Sequence, residues 1–107
     1  MSTELNRDNY DKEILEAKGA VLVDFWGEQC IPCKALLPAV EKIENEYAGK
    51  LKVGKVNAPL NRMLCAKLRV LSMPTFILYK DGVESKRLLG EKITPTDIKS
   101  AVEDLFK

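Results

Sequence analysis

Apolar residues recur along this chain with two different periods. Residues 20–26, Ala-Val-Leu-Val-Asp-Phe-Trp, form a nearly unbroken apolar run and predict a buried strand. Residues 75–79, Thr-Phe-Ile-Leu-Tyr, predict another. Residues 51–57 alternate and also predict a strand. Lys80-Asp81-Gly82 is a hairpin turn leading into a return strand over 83–89. Segment 2–6 predicts a short edge strand. Between these the period lengthens. Residues 8–18 place Tyr10, Ile14 and Leu15 on one side of a helix that has acids at its start and Gly19 at its stop. Residues 31–47 carry Leu36, Leu37, Val40, Ile43 and Tyr47 at helical spacing, with Pro38 expected to kink the helix and Gly49 to close it. Residues 61–68 predict a short helix. A last helix opens with Thr94 as N-cap and Pro95 in first position, and shows Ile98, Ala101, Val102, Leu105 and Phe106 on one face.

The resulting order, β-α-β-α-β-α-β-β-α, implies an α/β fold with a mixed sheet flanked by helices. The sheet has five strands, or four if segment 2–6 does not pair. The length of 107 residues, with no repeat and no linker, fits a single domain over 1–107. A hydrophobic content of 46% is enough for a core without staples. Charged residues make up 31% and nearly cancel to +1, which gives no reason to expect nucleic acid or an anionic membrane as partner. No apolar run approaches the ~20 residues of a membrane span. The first residues lack the basic-then-apolar order of a signal peptide, so a cytoplasmic protein is expected.

Three cysteines, an odd number, do not make a structural disulfide framework. With no histidine present they also fall short of the four ligands of a structural zinc site. Two of them form Cys30-Ile31-Pro32-Cys33, at the junction between the apolar strand and a helix. A C-x-x-C pair there reads as a redox dithiol. The helix start offers unpaired N–H groups and a partial positive charge, which favour a thiolate at Cys30. Cys30 is therefore expected to be the exposed, more acidic thiol. Pro32 lacks an N–H, a small loss in a first turn. Asp24 is a charge in an apolar strand, so it either faces solvent or is buried with an altered pKa. Lys55 on its alternating strand reads equally as a solvated residue. Pro74 suits the first position of a strand. Gly90 reads as a bulge in the return strand. Cys65 reads as a small buried hydrophobe, with a regulatory or dimer-forming thiol as the alternative.

Trp26-x-x-x-Cys30-x-Pro32-Cys33-Lys34 resembles the active-site signature of the thioredoxin family. Asp24, Met73-Pro74-Thr75, Lys80-Asp81-Gly82 and Gly90 extend the resemblance, in order, over nearly the whole chain. Two positions depart from the pattern: Gln29 stands where a second Trp is usual, and Ile31 where Gly is usual. In this the site is similar to variant thioredoxins of anaerobic, amino-acid-fermenting bacteria. The resemblance implies the thioredoxin fold and a protein-disulfide reductase that works through Cys30 and Cys33. It implies a buried Asp24 that takes the proton of Cys33, with Lys55 near it. It implies a cis bond between Met73 and Pro74 facing the disulfide, and a target-binding surface of Trp26, Ile31, Pro32, Met73, Pro74 and Gly90. It implies no bound cofactor, electrons from a flavin-containing thioredoxin reductase drawing on NADPH or reduced ferredoxin, disulfide-containing target proteins, and a monomer. A binding subunit with an incidental dithiol and a more oxidising oxidase or isomerase are the competing readings.

Overall fold

A computed structural model describes residues 2–107. The apolar runs pair into one five-stranded sheet: β1 (Thr3–Leu5), β2 (Ala20–Trp26), β3 (Leu51–Asn57), β4 (Thr75–Lys80) and β5 (Val83–Leu89), in spatial order β1-β3-β2-β4-β5. β1 and β2 run parallel to β3, whereas β4 is antiparallel to both β2 and β5. β2 is thus interior, and its continuous apolar character follows from burial on both faces. Alternation splits its residues. Ala20 and Leu22 face one cluster with Leu51, Val53, Phe76 and Leu78; Val21, Val23 and Phe25 face the other with Val56, Ile77 and Tyr79.

Helices cover both faces. α1 (Ile31–Glu46) and α3 (Pro95–Leu105) pack on the first cluster through Leu36, Val40 and Ile43 and through Ile98, Ala101, Val102 and Leu105. Each of these side chains other than Ala101 contributes roughly 1.5–3 kcal/mol of burial free energy. α1 continues through Pro38 to Glu46. α3 begins with a capping box: Thr94 Oγ1 accepts from the Asp97 N–H at 3.1 Å, and Asp97 Oδ2 accepts from the Thr94 N–H at 2.9 Å. α2 (Arg62–Leu68) closes the second face with Leu64 and Cys65. Arg87 of β5 donates to the Leu68 and Arg69 carbonyls, anchoring the end of α2 beside the sheet.

The hairpin is a two-residue turn with positive φ at Asp81 (51°) and Gly82 (80°), the combination that matches strand twist. A side chain at Gly82 would meet the Leu15 carbonyl. Asp81 also grips the entry to β2: its Oδ1 accepts from the Gly19 N–H at 2.7 Å.

Segment 8–18 differs from its expectation. Its helical core is a π-helical turn over Asp11–Leu15, with the Glu16 N–H bonded to the Asp11 carbonyl at 3.0 Å. Asn6 Oδ1 accepts from the N–H groups of Asp8 and Asn9, and this local turn holds residues 6–9 out of a helix. Tyr10 and Ile14 are buried as expected, while Leu15 is exposed. Leu37 and Phe106, read as inward-facing, are partly exposed too, although the Phe106 ring stacks on Tyr47 at 5.2 Å.

Candidate active site

The end of β2 and the start of α1 set the site. After Trp26 the chain turns through Gly27, and the Cys30 N–H bonds the Gly27 carbonyl at 3.0 Å. Cys30 is extended (φ −89°, ψ 102°) and is the N-cap of α1. Its Sγ accepts from the Cys33 N–H at 3.2 Å, in the position of a capping oxygen. Cys30 and Cys33 form a disulfide with Cα atoms 5.3 Å apart. Their exposure hardly differs: Cys30 is 9% exposed and Cys33 6%. The expectation of an exposed Cys30 concerns the free thiol; in the disulfide both cysteines are largely covered. Two residues inside one turn carry sulfurs that bond each other, so each shields its partner; what sets Cys30 apart is its place at the cap.

Asp24 lies on the face of β2 that α1 covers, two residues before Trp26. It is 4% exposed, and its Oδ1 has no hydrogen-bond partner among the described residues. The solvent-facing alternative therefore falls away. In register Asp24 sits between Lys55 of β3 and Phe76 of β4. Burial pushes its pKa up to about 7; Lys55 pulls it down, and Glu44 on α1 adds to the rise. Lys55 is half-buried on Asp24's side of the sheet.

The Met73–Pro74 peptide bond is cis. Phe25 pairs with Thr75, so the Pro74 backbone comes beside Trp26 at the same end of the sheet. Thr75, fully buried, donates from Oγ1 to the Ser72 carbonyl at 2.8 Å. A methyl group at Gly27 would come within 2.9 Å of Met73 Sδ and 3.3 Å of Pro59 Cδ, so the loop before the disulfide, the turn after β3 and the loop before β4 meet there. The Gly90 N–H bonds the Pro74 carbonyl at 3.0 Å with φ 92°. Gly90 is not a bulge: the irregularity of β5 lies further back, opposite Leu78 and Tyr79. Around this meeting point Trp26 is half-buried, Pro74 is buried, and Ile31 is 79% exposed.

Residues 1–104 match the family model for thioredoxin. The chain is 38% identical to a thioredoxin of Acetoanaerobium sticklandii, over 94% of this chain and 95% of that protein. It is 36% identical to a thioredoxin of Peptoclostridium acidaminophilum, over 92% and 90%. It is 40% identical to thioredoxin C-2 of Corynebacterium nephridii, over 70% and 69%.

The chain belongs to the thioredoxin family. Its mixed five-stranded sheet flanked by helices is the thioredoxin fold, and its cysteine pair makes it a thiol–disulfide oxidoreductase active on protein disulfides. A reductase and disulfide-bearing targets are its partners in general terms. Among the described residues no group of three or more metal-ligating side chains gathers, and no helix is long and apolar enough to cross a membrane.

Glu44 and two surface clefts of this family member lay outside the sequence reading. Glu44 turns a carboxylate oxygen inward near Asp24. Its signal was present: with Val40 and Tyr47 it falls on the apolar face of α1. Cys65 is buried, as its apolar reading expected, and burial pushes its thiol pKa up. It lines a groove of about 410 Å³ with Pro59, Arg62, Val70, Leu71 and Met73. A second cleft, which shares Pro59, is lined by Glu28 and Gln29 of the loop before Cys30 and by Asn57 and Leu60, far from them in sequence.

Proposed function

We propose that this thioredoxin-family chain acts as a single domain in which Cys30 attacks and Cys33 resolves. The reduced protein presents Cys30 as a thiolate, stabilised by the Cys33 N–H at the start of α1. The thiolate attacks one sulfur of a target disulfide. A Cys30–target bond forms, the target disulfide breaks, and the departing target thiolate takes up a proton. The Cys33 thiol then passes its proton to the Asp24 carboxylate and attacks Cys30 Sγ. The internal disulfide forms and the second target thiolate leaves. Two electrons have moved from the protein dithiol to the target. The burial of Asp24 without a hydrogen bond to its Oδ1, on the face of the sheet that α1 covers, is the observation that carries this reading: burial pushes its pKa up to about 7, and such an acid both gives and accepts a proton at neutral pH.

An extended target segment pairs with the backbone of Met73, in the manner of an added strand. Trp26, Ile31, Pro32, Pro74 and Gly90 bound the same surface, and Lys55 supports Asp24. The protein works in the cytoplasm as a monomeric electron carrier. A flavin-containing reductase, linked to NADPH or to reduced ferredoxin, returns the disulfide to the dithiol.

Insulin reduction tests the reading. The wild-type protein, kept reduced by dithiothreitol, should precipitate the insulin B chain well above the dithiothreitol background. Cys30→Ser should fall to background. A wild-type protein that does no better than dithiothreitol would refute the reductase, and a potent oxidation of reduced peptide instead would point to an oxidase. Supplying NADPH- and ferredoxin-linked reductases separately, and following dithiol recovery, identifies the electron source.

A further inference from the structure

The second cleft takes two of its lining residues, Glu28 and Gln29, from the loop that leads into Cys30. Asn57 ends β3; Pro59 and Leu60 belong to a 3-10 turn over Ala58–Leu60. Its volume of about 370 Å³ falls within the ~300–1,000 Å³ of ligand pockets. Its walls divide by chemistry. Pro59 and the 79%-exposed Leu60 give an apolar side. Glu28, Gln29 and Asn57 give a carboxylate and two amides, and their side chains make no hydrogen bond or ion pair within the described protein. No lysine or arginine lines it. The groove across Pro59 is the opposite case, an apolar trough edged by Arg62. A carboxylate and amide oxygens accept hydrogen bonds, and an apolar wall beside them fits a methylene stem.

We propose that this cleft is a specificity pocket for a lysine or arginine side chain flanking the disulfide of a target protein, with Glu28 as the residue that reads the charge. This rests on the reading that Cys30 attacks. A segment whose sulfur reaches Cys30 has its neighbouring side chains within reach of Gln29, the adjacent residue. The cation's stem lies along Pro59 and Leu60 and its charged end meets Glu28. Where most of the surrounding surface selects extended backbone and apolar side chains, this corner selects charge. The attraction sits at the rim in water, so it acts chiefly on the encounter rate and is screened by salt.

The test uses the reduced full-length protein and three short peptide disulfides that differ only in the residues beside the cysteine: lysine, glutamate or alanine. Single-turnover rate constants are measured for the wild type, Glu28→Gln and Glu28→Lys at low salt and at 0.5 M salt. The readout is the lysine-to-glutamate rate ratio, compared between proteins, so the peptides' own reactivity cancels. A general change in Cys30 reactivity cancels too. The ratio should fall about threefold from wild type to Glu28→Gln, the size expected of an exposed ion pair, and fall further in Glu28→Lys. Salt should shrink the difference between proteins. Equal ratios in all three proteins, or a difference that salt leaves intact, would overturn the pocket. The alanine peptide separates the two levels: if the wild type does not reduce it, the reductase reading itself fails, whatever the charge ratio.

Discussion

The two faces of the sheet each bury a polar group, and they treat it differently. Behind one face, Tyr10 and Tyr79 are 0% and 3% exposed and bring their hydroxyls to 2.8 Å. One hydroxyl donates and the other accepts, and Phe25 packs against the Tyr10 ring at 6.4 Å. Burial raises both hydroxyl pKa values, so both remain neutral. On the other face Asp24 is as deeply buried, yet its Oδ1 is left without a hydrogen bond among the described residues. A fold that can pair two hydroxyls from positions 69 apart has no difficulty in satisfying buried groups. Asp24 stands out against that background. A buried polar group left unpaired costs about 1–3 kcal/mol, and the cost is consistent with the proton-accepting role proposed for Asp24.

The largest expected effect comes from removing the acid. The folded state holds the Asp24 proton more tightly than the unfolded chain, whose carboxyl ionises near 3.8. Stability is therefore full below pH 4, declines as pH rises from 3.8 to about 7, and levels off above that. At about 1.4 kcal/mol per pKa unit the whole decline is roughly 4 kcal/mol. Asp24→Asn should abolish this dependence and unfold at higher urea than the wild type at pH 8. It should also slow resolution of the mixed disulfide by about 10²-fold, the lower end for general acid–base help. A variant less stable than the wild type at pH 8 would mean that Asp24 is not a destabilised buried acid.

Breaking the tyrosine pair should have a smaller effect of the opposite kind. Tyr79→Phe strands the Tyr10 hydroxyl and should cost about 1–3 kcal/mol in urea unfolding, with insulin reduction at the wild-type rate. The double variant with Tyr10→Phe should recover part of that loss, since both partners are then removed together. A Tyr79→Phe protein that is stable but slow in catalysis would erase the distinction between the two faces. The smallest effect belongs to Lys55. Its charge lowers the Asp24 pKa, so Lys55→Met should shift the upper end of the stability decline to higher pH. A shift to lower pH would show that the two residues do not interact as their register implies.

The contrast also explains what could be read from the sequence. Asp24 interrupts an apolar run, and an acid there signals itself locally. The cysteine pair, the strand limits at 20–26, 51–57 and 83–89, and the Thr94 cap were legible for the same reason: each is written within one short stretch. The tyrosine pair was not, because nothing near Tyr10 points to Tyr79. The cleft lined by Glu28 and Gln29 was hidden likewise, since Gln29 and Asn57 meet only once β2 and β3 pair. Gly54 belongs with these: a side chain there would collide with Leu5, a constraint that exists only after β1 joins the sheet. The π-helical turn over Asp11–Leu15 was misread because Tyr10 and Ile14 keep ordinary helical spacing, while Asn6 decides from outside where the helix begins.

The division of labour between Cys30 and Cys33 is the centre of the account, and trapping the mixed disulfide tests it most directly. Cys65→Ser is introduced throughout, so that the buried third thiol makes no bonds of its own. Cys33→Ser and Cys30→Ser are then each incubated with disulfide-containing proteins, quenched with acid and separated without reductant. Cys33→Ser should accumulate adducts that dithiothreitol dissolves, because the attack proceeds and the resolving thiol is missing. Cys30→Ser should accumulate few. If Cys30→Ser traps as many adducts as Cys33→Ser, or more, the roles assigned to the two cysteines are wrong.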